Sequence, residues 1–367
     1  MKSNRRNPFA LPVAFLILIS LLAGTAVATE FEKEFTFDGK ELLVSNMIGA
    51  IKIKESSSDA FRVLVSVKGD DASEDLLEFI VQEDGSALAI KFPLDDHTKY
   101  VYPALGRNSS TSIHFQEEND HGGSWLKKVF SGFGGKKITI KGKGNGLEMW
   151  ADVTIEVPAR HILEVRHGVG EILAAGLEAD LSLDTHSGPI SVENLQGDFL
   201  ADTGSGRVAA LNVEGEVNID TGSGSVHVAN CSGSEVKVDT GSGSVEAEKI
   251  DCGYMLIDTG SGRVEARGIK ADKAKIDTGS GSVVLQLDRM GDGKFVIDTG
   301  SGSIELILPG DASARIVADT GSGSVRNKVE GADVKTAERD ELEMTVGSGA
   351  ARVSLDAGSG SITVRQN

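Results

Sequence analysis

Asp239-Thr-Gly-Ser-Gly-Ser-Val245 carries the key to the fold, because its first five residues, Asp-Thr-Gly-Ser-Gly, occur whole seven times in the chain. The copies start at Asp202, Asp220, Asp239, Asp258, Asp277, Asp298 and Asp319, with Ser or Arg at the sixth place and Val or Ile at the seventh. Weaker copies start at Asp184 (Asp-Thr-His-Ser-Gly) and Asp356 (Asp-Ala-Gly-Ser-Gly), and Gly347-Ser348-Gly349 is a third. From Asp184 to Asp319 the intervals are 18, 18, 19, 19, 19, 21 and 21 residues. A fixed period near 20 is the mark of a solenoid, in which each repeat is one coil laid on the last.

Number each coil from its Asp. Offset +6 then reads Ile172, Ile190, Val208, Val226, Val245, Val264, Val283, Ile304 and Val325, with Arg166 filling the Asp place of the first coil. Offset −1 reads Leu183, Ala201, Ile219, Val238, Ile257, Ile276, Ile297 and Ala318. Offsets +8 and −3 are also mostly apolar, and the positions between are Ser, Arg, Glu, Lys, His and Asn. Alternation with period two on both sides of the turn means two half-buried strands per coil. The expected fold is an all-β, right-handed parallel β-solenoid with two sheets and about 18–21 residues per coil. After Asp319 the spacing becomes irregular, which predicts a capping region.

The turn has a structural reading at every place. Gly at +2 and +4 would supply positive φ, and Asp and Ser would accept hydrogen bonds from turn amides. Stacking also sets the Asp carboxylates in a column, where neighbours about 4.8 Å apart repel. Calcium could bridge them, but the Gly-Gly-x-Gly-x-Asp nonapeptide of calcium β-rolls is absent.

Residues 29–165 alternate like strands up to about residue 94, as in Phe61-Arg-Val-Leu-Val-Ser-Val67, and Ile48-Gly49-Ala50-Ile51 is a degenerate copy of the turn. They read as irregular coils or a small sandwich continuous with the solenoid of 166–367. Residues 95–147 interrupt the pattern with a polar, Gly-rich insertion holding His97, His114, His121 and a basic amphipathic piece around Trp125. Disorder, or a loop packed over the solenoid end, is the expected state there. Cys231 at +11 should neighbour Ile250, leaving Cys252 diagonal to it, so two unpaired thiols are expected.

The N-terminus carries Lys2, Arg5 and Arg6, an apolar run from about Phe9 to Leu22, then Ala26-Val27-Ala28. That order reads as a signal peptide over residues 1–28, followed by an exported mature chain with no transmembrane segment. Its removal takes away three positive charges and no acid, moving the formal charge from −18 to −21. So acidic a chain repels phosphate backbones, which argues against nucleic acid as a partner.

Catalytic signals are missing. There is no Gly-x-Ser-x-Gly elbow, His-Glu-x-x-His or phosphate loop, so no catalytic, cofactor-binding or metal-ligating residue is nominated. The repeated Asp-Thr-Gly-Ser-Gly-Ser-Val, with Val153-Thr-Ile-Glu-Val-Pro158 and Val44-Ser-Asn-Met-Ile-Gly-Ala-Ile-Lys-Ile53, resembles the "putative adhesin" family of bacterial secreted proteins. The resemblance covers most of residues 35–365 and implies a secreted β-solenoid with no assigned catalytic residues. The functional expectation is a non-enzymatic adhesion or scaffolding module of the cell envelope, displayed toward a surface ligand. A carbohydrate-active periplasmic β-helix enzyme and a filament self-associating through solenoid ends are the alternatives.

Overall fold

The computed structural model describes residues 30–114 and 137–367. The proposed signal peptide, His121 and the Trp125 piece lie outside them. Among the described residues the chain is strand, turn and two single-turn 3₁₀ segments.

Identical turns stack in register. Asp184, Asp202, Asp220, Asp239, Asp258, Asp277 and Asp298 are successive parallel partners in one sheet. Ile172, Ile190, Val208, Val226, Val245, Val264, Val283 and Ile304 are successive partners in the other. These eight offset +6 side chains are all buried, as are the offset −1 and −3 columns facing them. The two-sheet solenoid is therefore present with the register that the alternation predicts. Val325 is the exception, half-buried on an outermost strand.

A second corner at offset +10 is invisible to hydrophobic patterning. Asn194, Asn212, Asn230 and Lys249 sit there at φ 56, 55, 54 and 52°, and Gly176 and Gly268 hold the place at φ 64 and 68°. Asn tolerates this left-handed conformation better than most residues. The Asn side chains also form a ladder, Asn212 donating to Asn194 over 2.9 Å and Asn230 to Asn212 over 3.1 Å.

The N-terminal region continues the rod. Ser45 lies beside Arg166 and Ile51 beside Ile172, so residues 41–55 form a full coil with Gly49 in the turn. Ala87–Lys91 and Trp150–Val157 lie parallel on this coil, and beyond them the strands turn antiparallel. Glu78–Val81 closes one sheet through Ala87–Lys91, and Phe31–Phe37 closes the other through Phe61–Lys68. Phe35 and Phe79 join these two outermost strands, with ring centroids 5.5 Å apart.

The insertion is more ordered than expected. Lys99–Val101, Ser110–His114 and Lys137–Lys141 form a separate three-stranded sheet. Tyr100, Ile138 and Ile140 are fully buried in it, and Tyr100 packs edge-on against Phe92 of the main body. Its apolar alternation is too short to stand out beside the polar residues around it. Ser112 accepts a 3.0 Å hydrogen bond from His186, so the small sheet leans on the turn edge of the first coils.

The C-terminus departs from sequential stacking. Asp298 pairs with Asp356, not Asp319, and Asp356 in turn pairs with Asp319. The last coil is thus slotted between its two predecessors, repeated in the other sheet by Ile304, Ile362 and Val325. Gly347-Ser348-Gly349, counted above as a weak repeat, is instead the loop that crosses under strand Ala314–Thr320. Its φ values at Gly347 and Gly349 are 59 and 73°, and the Ser313 hydroxyl accepts from the amides of Ser348 and Ala350. Strand Glu341–Val346 covers Ala314–Thr320 antiparallel from outside, and Asp333–Ala337 covers that strand. An antiparallel hairpin therefore takes over where parallel pairing would leave an open edge.

Candidate functional site

The repeated turn forms one long edge of the rod, and its parts do other work than the sequence alone suggests. Thr at +1 points inward and is buried in every regular coil. The Thr259 hydroxyl accepts from the Gly262 amide at 3.0 Å and donates to the Gly243 carbonyl of the preceding coil at 3.0 Å. Thr240, Thr278, Thr299 and Thr320 make the same two bonds. A hydroxyl suits this relay because it gives one proton and takes another at once. Thr259→Val keeps the shape but strands a buried amide and a buried carbonyl, so a loss of about 2–4 kcal/mol is expected by chemical denaturation. Thr259→Ser, which retains the hydroxyl, should lose less.

Asp at 0 was expected to accept those turn amides. From Asp220 onward the Thr hydroxyl takes the +4 amide instead, and the carboxylates project outward. They form a solvent-facing ridge. Partial burial raises Asp202 above its ordinary pKa. Burial and then neighbouring carboxylates raise Asp220, Asp258 and Asp298. The Gly residues are likewise not there for φ: in the seven whole copies none of the +2 or +4 glycines has a left-handed value. They are needed because each +4 glycine lies against the carbonyl of the same glycine one coil back.

The first coils carry histidines in this edge. His167 replaces Thr and is fully buried, with Nδ1 3.1 Å from the Asn46 carbonyl and Nε2 2.8 Å from that of Gly49. Desolvation dominates over these carbonyls and pulls its pKa down to about 4. A depressed histidine contributes stability above its unfolded value near 6.5 and loses it as pH falls toward 4. The Asp ridge has the opposite sign: its raised carboxylates are least unfavourable when protonated, so its contribution improves as pH falls through their folded values. Amide exchange at pH 5 against pH 7 should therefore show protection lost around Arg166–Val169 and kept across Asp220–Asp298. The His167 contribution is about 2 kcal/mol. His167→Thr should abolish the difference.

His167 and His186 occupy neighbouring coils but do not share a site; one faces Asn46 and Gly49, the other Ser112. Cys231 and Cys252 are free and buried, and Cys252 pairs with Gly233 in the sheet, so it is not the direct partner of Cys231. Burial raises both thiols, Cys252 to about 11. Among the described residues no three His, Cys, Asp or Glu side chains are grouped to hold a metal ion, and no helix is long and apolar enough to cross a membrane.

The outer face of the Asp-bearing sheet, toward the strand ends away from the turn, holds what the sequence reading missed. A groove of about 670 Å³ runs there, lined by Tyr254, Lys273, Lys275, Lys294 and Val296 among others. Three of these belong to the outward column at offset −4. Counted at offset −4 from each Asp, that column reads Asp180, Asp198, Glu216, Glu235, Tyr254, Lys273, Lys294, Arg352 and Arg315, bounded by the uncharged Ile162 beside Asp180 and Thr345 beside Arg315. Four acids are followed by one aromatic and four bases. Most of it is written in the sequence as a single change from acid to base at offset −4 along the repeats.

These features define a parallel β-solenoid whose surfaces are ladders of repeated side chains. The chain belongs to the Toastrack DUF4097 family, whose model matches residues 40–365. Two solved structures are similar. One is a putative cell adhesion protein from Clostridium sporogenes: 13% identity, 93% of this chain and 100% of that chain covered, TM-score 0.21. The other is a putative adhesin from Bacteroides fragilis: 11% identity, 92% of this chain and 97% of that chain covered, TM-score 0.34. No curated protein matches the chain.

Proposed function

We propose that this protein is a non-catalytic, exported scaffolding or adhesion module of the bacterial cell envelope. The observation that carries the reading is repetition. Eleven coils, counting those of Ser45, Arg166 and Asp356, present outward groups at the strand spacing of about 4.8 Å. A stiff rod of that kind is about 48 Å long and suits weak contacts made many times over. Lys2, Arg5, Arg6, the apolar run and Ala26-Val27-Ala28 support export.

The test is a binding screen of the full chain against immobilised glycans and envelope fractions, read as retention after washing. The reading expects retention of at least one component, unchanged in chemical composition after release. Release of shortened glycan products would establish turnover and overturn the non-catalytic part; absence of retention across the panel would overturn the adhesion part. Fractionation that finds the chain in the cytoplasm with residues 1–28 intact would overturn export.

A further inference from the structure

The offset −4 column is antisymmetric about Tyr254. One coil away stand Glu235 on one side and Lys273 on the other; two away, Glu216 and Lys294. Asp198 and Arg352 follow, then Asp180 and Arg315. We propose that this edge is the docking surface for a second copy of the chain, laid antiparallel beside the first with a two-fold axis at Tyr254. Each acid of one copy then meets a base of the other, and all eight pairs close at once. An isologous interface requires this self-complementarity.

The geometry selects this arrangement over its rivals. Parallel docking would set acid on acid and base on base along the whole ladder. Face-to-face docking would oppose the two Asp ridges. Side-by-side contact at the corner keeps each ridge four residues away across the sheet, about 13 Å, beyond the screening length near 8 Å at physiological salt.

The groups are placed to meet a partner. Lys273, Lys294, Arg352 and Arg315 are exposed and have no ion pair within the described chain, whereas the nearby Lys270, Lys275 and Arg289 do. On the acidic half, Asp180 accepts the Asp198 amide at 2.9 Å and Asp198 accepts the Glu216 amide at 2.8 Å, which holds those carboxylates in place. Tyr254 is half-buried at the midpoint, in the groove its lysine neighbours line. A polyanion could use the basic half, but it would leave the matching acidic half unused. Four acids and four bases, bounded by the uncharged Ile162 and Thr345, are what point to a second copy.

Analytical ultracentrifugation of the full chain tests this, whatever the rod binds. In about 50 mM salt a dimer is expected, with its dissociation constant rising about tenfold or more by about 300 mM as the pairs are screened. Glu216→Lys and Lys294→Glu should each abolish the dimer, since each puts like charges in contact twice. Mixed in equal amounts, the two variants should form a heterodimer of near wild-type affinity, because both altered contacts become complementary again. Circular dichroism on each variant separates loss of association from loss of fold, and the mixing rescue is itself a readout that misfolding cannot produce. A wild-type chain monomeric in low salt, or a dimer indifferent to both substitutions, overturns the proposal. So does a monomer whose Lys294→Glu variant loses affinity for polyglutamate, which would assign the basic half to a polyanion instead.

Discussion

Gly262→Ala is expected to destabilise the solenoid by more than about 4 kcal/mol, or to prevent folding altogether. A Cβ at this position would overlap the Gly243 carbonyl oxygen of the preceding coil and crowd the Thr259 hydroxyl. Both obstacles are fixed, one being backbone and the other held by two hydrogen bonds. Relief would need neighbouring coils to separate at the corner, which breaks the ladder hydrogen bonds on either side. Strain with no side chain to absorb it belongs to the most severe class of substitution. Gly310→Ala is the control, because nothing lies within 4 Å of a Cβ built there and its φ is not left-handed. That change should be neutral or raise stability by about 0.5 kcal/mol through the unfolded chain. Thermal melts that fall alike for the two variants would show that close approach of coils is not the reason for the glycine.

Val245→Asp should cost several kcal/mol. Val245 is buried between Val226 and Val264 in the offset +6 column, and a carboxylate there would have neither water nor a partner. Ser244→Asp, one residue earlier and exposed, should change stability by less than about 0.5 kcal/mol. The contrast isolates register, since the two substitutions introduce the same group on adjacent residues. Equal losses would mean that the strand does not present alternate side chains to core and solvent.

The two-sheet coil, its register and its apolar columns were legible in the residues alone, because strand alternation forces every second residue inward and a near-constant repeat length aligns coil on coil. The sequence also kept Cys252 out of the place directly beside Cys231, a consequence of counting alone. Order of stacking was a different matter. Every turn carries the same columns, so Asp319 and Asp356 are equally suited to lie against Asp298, and local pattern holds no preference between them. The crossing under strand Ala314–Thr320 and its covering hairpin decide it. Roles within the turn were also undecidable from residue type, since Asp and Thr can both accept an amide hydrogen bond. Which one does follows from direction, Thr into the corner and Asp out to water. The charged ladder shows both sides of this division. Its acids and most of its bases are written at a fixed offset, but Arg352 enters between Lys294 and Arg315 only because the last coil is slotted there. Long-range pairing, which no local periodicity encodes, is what makes the two halves equal.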